Sequence, residues 1–194
     1  CKYMLLPYLK EFIHRNPHIS ISIECQSTNE TLKLLDDDKI DIGLIGKPAS
    51  LKTFNFYYLD NIEDIFVTTK DYLRNLSARG VKKSEILQNS TLMLLDKGNM
   101  TRKYIDDYLQ ENQIHVKDSI DISNMDLLID FAKIGVGVAC VIKSIVSKEL
   151  ADGTLIEIPL GIPIHKREVG FAYKESSKPV SYTHLRAHET EADL

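Results

Sequence analysis

The sequence predicts an α/β protein of two lobes, each built from strands alternating with helices. Three observations carry this. Residues 5–69 alternate helical and extended apolar periods, and a second strand–helix series runs from Thr91 to Ile142. Between them, around Thr68 to Asn89, the chain turns polar and short in period. Such alternation implies mostly parallel sheets covered by helices.

The first helix is read from Leu5, Leu6, Leu9, Phe12 and Ile13 on one face, with Lys10, Glu11, His14 and Arg15 opposite. Pro7 demands a start near Tyr3 or Met4, and Asn16–Pro17 stops the helix. Ile19, Ile21, Ile23 and Cys25 then alternate with Ser20, Ser22 and Glu24, the period of a strand with unlike faces. A cluster of turn and cap formers, Gln26 to Asn29, opens a helix reaching about Asp38. Strands are expected at Ile40–Ile45, Phe54–Tyr58 and Ile65–Thr69.

In the second series, strands are expected at Thr91–Leu95, Ser119–Ile122 and Val136–Ile142, with helices at Thr101–Glu111 and Asn124–Ile134. Glu168–Tyr173 is one more strand, placed to cross back to the first lobe. The expected division is residues 1–68 and 165–179 for the first lobe and 69–164 for the second. The remaining 180–194, from Ser181–Tyr182–Thr183–His184, breaks in character and is read as a vector- or adapter-derived tail.

Composition narrows the function. Of the 194 residues, 43% are hydrophobic and 27% charged, enough for a buried core, and the net charge is −4. That balance does not suit a surface gripping a phosphate backbone. No apolar run approaches the ~18 residues that span a bilayer. Three cysteines, Cys1, Cys25 and Cys140, form no close pair and fit a reducing compartment such as the cytoplasm. The chain opens on Cys1 rather than Met, so its native start is expected to lie upstream.

Three segments share one form: a strand ends, small polar residues follow, and a helix begins. They are Ser27–Thr28–Asn29, Gly98–Asn99–Met100–Thr101–Arg102 and Ser123–Asn124–Met125. In parallel α/β sheets such ends face the ligand crevice, and free N–H groups there favour anions. The same residues also serve simply as helix caps. Arg102 could clasp a carboxylate or pair with Asp106 on its own helix, and Lys47 could neutralise a ligand or lie solvated. Gly135 and Gly137 suit a helix C-cap and tight packing. Nucleophile elbows, Walker loops and dinucleotide glycine motifs are missing, so no enzyme, cofactor or metal centre is expected. His184, His188 and Glu189 in the tail lack a third ligand partner elsewhere.

The order of these pieces resembles the effector-binding domain of LysR-type transcriptional regulators. The matching residues are Leu6–Pro7, Phe12 and Pro17; Leu35 and Asp41–Ile42–Gly43–Leu44; Arg102; Ser123–Asn124–Met125 and Leu128; Ala132 to Ala139; and Leu150 with Gly153–Thr154–Leu155. The resemblance implies a two-lobed, type 2 periplasmic-binding-protein-like fold, with Rossmann-like lobes joined by two crossing strands. It implies a small effector between the lobes, anionic if the helix starts are read as above, touched by Ser27, Thr28, Gly98, Asn99, Met100, Thr101, Ser123 and Asn124. It further implies a homodimer or tetramer, no membrane, and DNA contact only through an upstream helix–turn–helix domain. Against this family the chain is expected to lack the first strand of its first lobe. The alternative is a solute-binding protein of a transport system with the same fold.

Overall fold

A computed structural model describes residues 2–174, apart from Ala49 and Lys52. Cys1 and the tail with His184 and His188 lie outside the described residues.

Helix α1 (Lys2–Arg15) ends where Asn16 turns back, its amide and side chain both donating to the Phe12 carbonyl at 3.0 Å. Beginning at Lys2, it places Pro7 in its second turn rather than its first. The expected strand at Ile19–Cys25 does not form. The segment is irregular, and Ile19, Ile21 and Ile23 are exposed. Alternation marks two faces, but a strand also needs a neighbour to bond. Among the described residues none runs alongside this one.

Helix α2 (Thr28–Asp36) opens with a capping box. Ser27 Oγ accepts from the Glu30 amide, and the Glu30 carboxylate accepts from the Ser27 amide. It packs Leu35 against Ile45 and Ala172. These lie in a three-stranded sheet ordered β1 (Gly43–Gly46), β8 (Arg167–Lys174), β2 (Phe54–Ile62). Helix and sheet meet closely: a Cβ on Gly43 would fall 2.5 Å from Thr31 Cγ2. This sheet is wholly antiparallel, where a mostly parallel one was expected, because the returning β8 runs between β1 and β2 and opposes both.

The second sheet is ordered β5 (Asp118–Ile122), β4 (Thr91–Leu95), β6 (Val138–Ile142), β3 (Asp64–Thr68), β7 (Ile156–Glu157). Here β4 is parallel to β5 and β6, while β3 opposes β6 and β7. The sequence reading expected β3 in the first lobe. Its ladder with β6 and β7 puts it in the second sheet, so the chain crosses at Glu63, between Ile62 and Asp64. The return crossing follows β7 and re-enters the first sheet at Arg167.

Both faces of this sheet are covered, as near-continuous apolar strands require. Phe66, Leu92, Leu94, Val138 and Cys140 meet helices α3 (Lys70–Ala78), α4 (Ile86–Asn89) and α5 (Met100–Glu111) through Leu76, Leu87 and Ile105. Alternate residues Ile65, Val67, Met93, Leu95, Ala139 and Val141 meet α6 (Met125–Lys133) through Leu128, Ile129 and Ala132. A short helix α7 (Ser147–Asp152) joins β6 to β7, and Gly153 closes it at φ +76°. Sequence reading assigned neither α7 nor β7.

Candidate functional site

Each of the three polar turns caps its helix. Asn99 Oδ1 accepts from the Thr101 amide at 2.9 Å, and Asn124 Oδ1 accepts from the Leu127 amide at 2.9 Å. Ser27 does the same for α2. The capping reading therefore accounts for one oxygen in each turn. Left over are the hydroxyls of Thr28 and Ser123 and the amide nitrogens of Asn99 and Asn124, the last donating to Ser123 Oγ at 3.5 Å.

Two of the turns lie side by side. Strands β4 and β5 are parallel neighbours, and the Asp96 amide donates to the Ile122 carbonyl at 3.1 Å, extending their ladder by one rung. Asp96 also shapes its own turn, accepting from the Gly98 amide on its carboxylate and from the Asn99 amide on its carbonyl. Gly98–Thr101 and Ser123–Asn124 thus share one end of the second sheet. Met100 is half-buried there, while Ser123 and Asn124 are exposed. Among the described residues no hydrogen bond joins Ser27 or Thr28 to these two turns.

Thr101 reaches further. Its Oγ1 accepts from Arg167 Nη2 at 3.3 Å, and Arg167 grips Asp64 with two bonds, Nε to Oδ2 at 2.7 Å and Nη2 to Oδ1 at 2.9 Å. The guanidinium carbon stands 5.1 Å from the Tyr104 ring centre, and the Tyr104 hydroxyl donates to the His165 carbonyl. Asp64 is fully buried, Arg167 nearly so at 13% side-chain exposure. Burial pushes the Asp64 carboxyl above its ordinary pKa, and Arg167 pulls it partly back. Tyr104 is likewise raised, chiefly by burial. This cluster sits where the chain crosses between sheets.

A second layer lies on the outer side of the same crossing. Glu63 meets Lys143 at 3.2 Å and Lys166 at 3.3 Å, and Lys143 also meets Glu157.

Other candidates resolve to packing. Arg102 is buried and donates to Asp106 (2.8 Å), Asp121 (2.5 Å) and the Leu95 carbonyl (2.9 Å). Burial alone would lower its pKa, but the bonds to Asp106 and Asp121 raise it. Lys47 pairs with Glu168 at 2.5 Å. Gly135 adopts φ +76° just past α6, the left-handed cap that glycine permits. A cavity of about 390 Å³ opens elsewhere, beneath α5, lined by Leu94, Arg102, Asp106, Leu109, Gln113 and His115. Of the three turn segments only Arg102, already bonded to Asp106 and Asp121, lines it. Among the described residues no group of His, Cys, Asp and Glu is arranged to hold a metal ion.

Sequence reasoning missed Asp64, Tyr104 and Arg167. One signal existed: Asp64 heads an otherwise apolar strand, and a buried carboxylate needs a partner. Arg167 carried none, lying in the polar run His165–Glu168.

Comparison with known proteins adds a family. The family model described as LysR substrate binding domain matches residues 1–187, a span that runs past Val180, where the sequence reading began its tail. An uncharacterized HTH-type transcriptional regulator of Escherichia coli (strain K12), YeiE, is 22% identical over 162 residues, covering 83% of this chain and 54% of the relative. The transcriptional activator CmpR of Synechocystis is 25% identical over 171 residues, covering 85% and 54%. The chain therefore spans about half the length of these relatives. Among solved structures, the CcmR regulatory domain of Synechocystis in complex with 2-PG superimposes with a TM-score of 0.80. It is 16% identical, covering 98% of this chain and 91% of that one. The apo regulatory domain of HypT from Salmonella typhimurium gives 0.76 at 16% identity, covering 97% and 91%. The fold is that of these regulatory domains.

Proposed function

This chain belongs to the LysR substrate-binding domain family, and we propose that it is the effector-sensing part of a bacterial LysR-type transcriptional regulator. Its role is binding, not turnover: it holds a small anionic metabolite between its lobes. The relatives are transcription regulators, and one similar domain was solved with 2-PG. The observation that carries the reading is the pairing of the Asn99 and Ser123 turns at one end of β4 and β5, with Thr101 tied to the crossing at Arg167. A ligand bridging these turns to Ser27 and Thr28 would favour one lobe arrangement over another, and so the spacing of DNA-binding domains in a dimer or tetramer. We place DNA contact in a helix–turn–helix domain outside these residues and the assembly in the cytoplasm. No helix among the described residues is long and apolar enough to cross a membrane.

The test is a thermal-shift screen of small organic acids and phosphorylated acids, 2-PG among them. A ligand at a hundredfold excess over Kd stabilises by about 2.7 kcal/mol. Hits should weaken in Thr28→Ala, Ser123→Ala and Asn99→Ser, the last keeping the cap. Hits indifferent to all three variants sink the site.

A further inference from the structure

We propose that the cavity beneath α5 is a second small-molecule site, within the second lobe rather than between the lobes, and that it takes a neutral amide: a carboxamide or lactam on a small apolar body. It does not depend on the effector-sensing reading. At about 390 Å³ it falls within the range of ligand-sized cavities. Its floor is apolar. Leu94 and Leu109 are buried there, and Ile114 and Val116 pack half-buried against the same core. One wall is set by how α5 ends. The Asn112 amide and side chain both donate to the Tyr108 carbonyl, and Gln113 turns left-handed at φ +56°. The Ile114 amide then donates to the Leu109 carbonyl at 2.8 Å. The chain folds back under bonds of its own, so a ligand does not have to order it.

The polar side of the cavity fixes the chemistry. Arg102, at 6% side-chain exposure, lines it together with Asp106. Its Nε donates to Asp106, and the two Nη1 hydrogens go to the Leu95 carbonyl and to Asp121. The two Nη2 hydrogens meet no acceptor among the described residues. Nη2 is not sealed in, since among the described residues only Ser90 Oγ is both fully enclosed and without a partner. It therefore keeps contact with solvent, which a ligand's carbonyl can replace. Asp106 is half-exposed and accepts from Arg102 through Oδ1, leaving Oδ2 to accept an N–H. A carbonyl beside an N–H, the edge of an amide, meets that donor and that acceptor together. A carboxylate does not suit, because the single guanidinium charge already faces the carboxylates of Asp106 and Asp121. An ammonium would pair with Asp106 only by standing against Arg102.

The experiment titrates the intact chain with benzamide, benzoate and benzylamine, three probes with one ring and different heads, and follows its backbone amides by NMR. Benzamide should shift the amides of residues 109–119 and saturate at millimolar concentration, with the two charged probes about tenfold weaker. Ser119→Tyr, at an exposed position on the rim, should abolish these shifts. In Asp106→Ala, benzamide should weaken and benzoate should gain, a reversal that damaged packing does not produce. The same spectra report whether each variant is folded. The site is overturned if no probe saturates, if a charged probe binds the unaltered chain as tightly as benzamide, or if either variant leaves binding unchanged. Shifts gathered at Gly98–Thr101 and Ser123–Asn124 instead also overturn it, and leave the effector-sensing reading standing.

Discussion

Gly137 lies against Thr91 so closely that a Cβ on it would sit 2.3 Å from the Thr91 carbonyl oxygen. Its own carbonyl accepts from the buried Thr68 hydroxyl at 2.8 Å. The start of β6 is thus wedged between β4 and β3 by backbone atoms that cannot rotate away. Gly137→Ala should destabilise the chain by about 1–3 kcal/mol, the usual cost of overpacking. Gly161→Ala, with nothing near its Cβ position, should stay within about 0.5 kcal/mol. Urea denaturation of the two variants checks the contrast.

Asp64 and Arg167 make a second test. Removing one partner of a buried pair leaves an uncompensated charge, so Asp64→Asn should cost about 3–5 kcal/mol. Replacing both together, as D64N/R167Q, should cost less than the sum of the single changes. A double-mutant cycle measured by chemical denaturation reads the coupling, and simple additivity would contradict the pair's geometry.

Glu63 gives the pH dependence. The Lys143 hydrogen bond holds its carboxyl below the ordinary 4.5, burial opposes this, and Lys166 adds to the lowering. The folded chain binds this proton less readily than the unfolded one, so the contribution is whole above about pH 4.5 and is lost as pH falls through the depressed folded value. The residue is part-exposed and screened, so its worth is at most about 1 kcal/mol. The stability gap between the unaltered chain and Glu63→Gln should be constant near neutrality and close on acidification, as equilibrium unfolding across pH would show.

Cys140 and Cys25 differ in reach. Cys140 lies in the core of the second sheet, where burial pushes its thiol well above the usual range; Cys25 is exposed. In a Cys1→Ser background, a thiol reagent should modify one cysteine promptly and the second only on unfolding. Prompt modification of both would show β6 to be accessible.

Local chemistry was legible in the sequence and long-range pairing was not. Ser27, Asn99 and Asn124 announced helix starts because a short polar side chain after a strand has few other uses, and each does cap a helix. Thr91–Leu95 read as a strand from its apolar run and is one. Ile19–Cys25 had the pattern of a strand, yet pattern specifies faces and not neighbours, so it stays exposed. Ile65–Thr69 was read as a strand of the other lobe; the strand runs Asp64–Thr68 in the second sheet, since sheet membership depends on β6, far along the chain. The candidate turns were found, but the bond from Arg167 to Thr101 spans 66 residues and no local signal carries it.

The crossing at Ile62–Glu63–Asp64 has a parity. Ile62 and Asp64 face inward, and Glu63 between them faces the lysines outside. Inserting a single residue there would exchange the two carboxylates, presenting the wrong one to Arg167 and turning the other toward Lys143. Inserting two would restore the order. An odd insertion at this junction is therefore expected to be borne only with a bulge that returns Asp64 to its partner in β6.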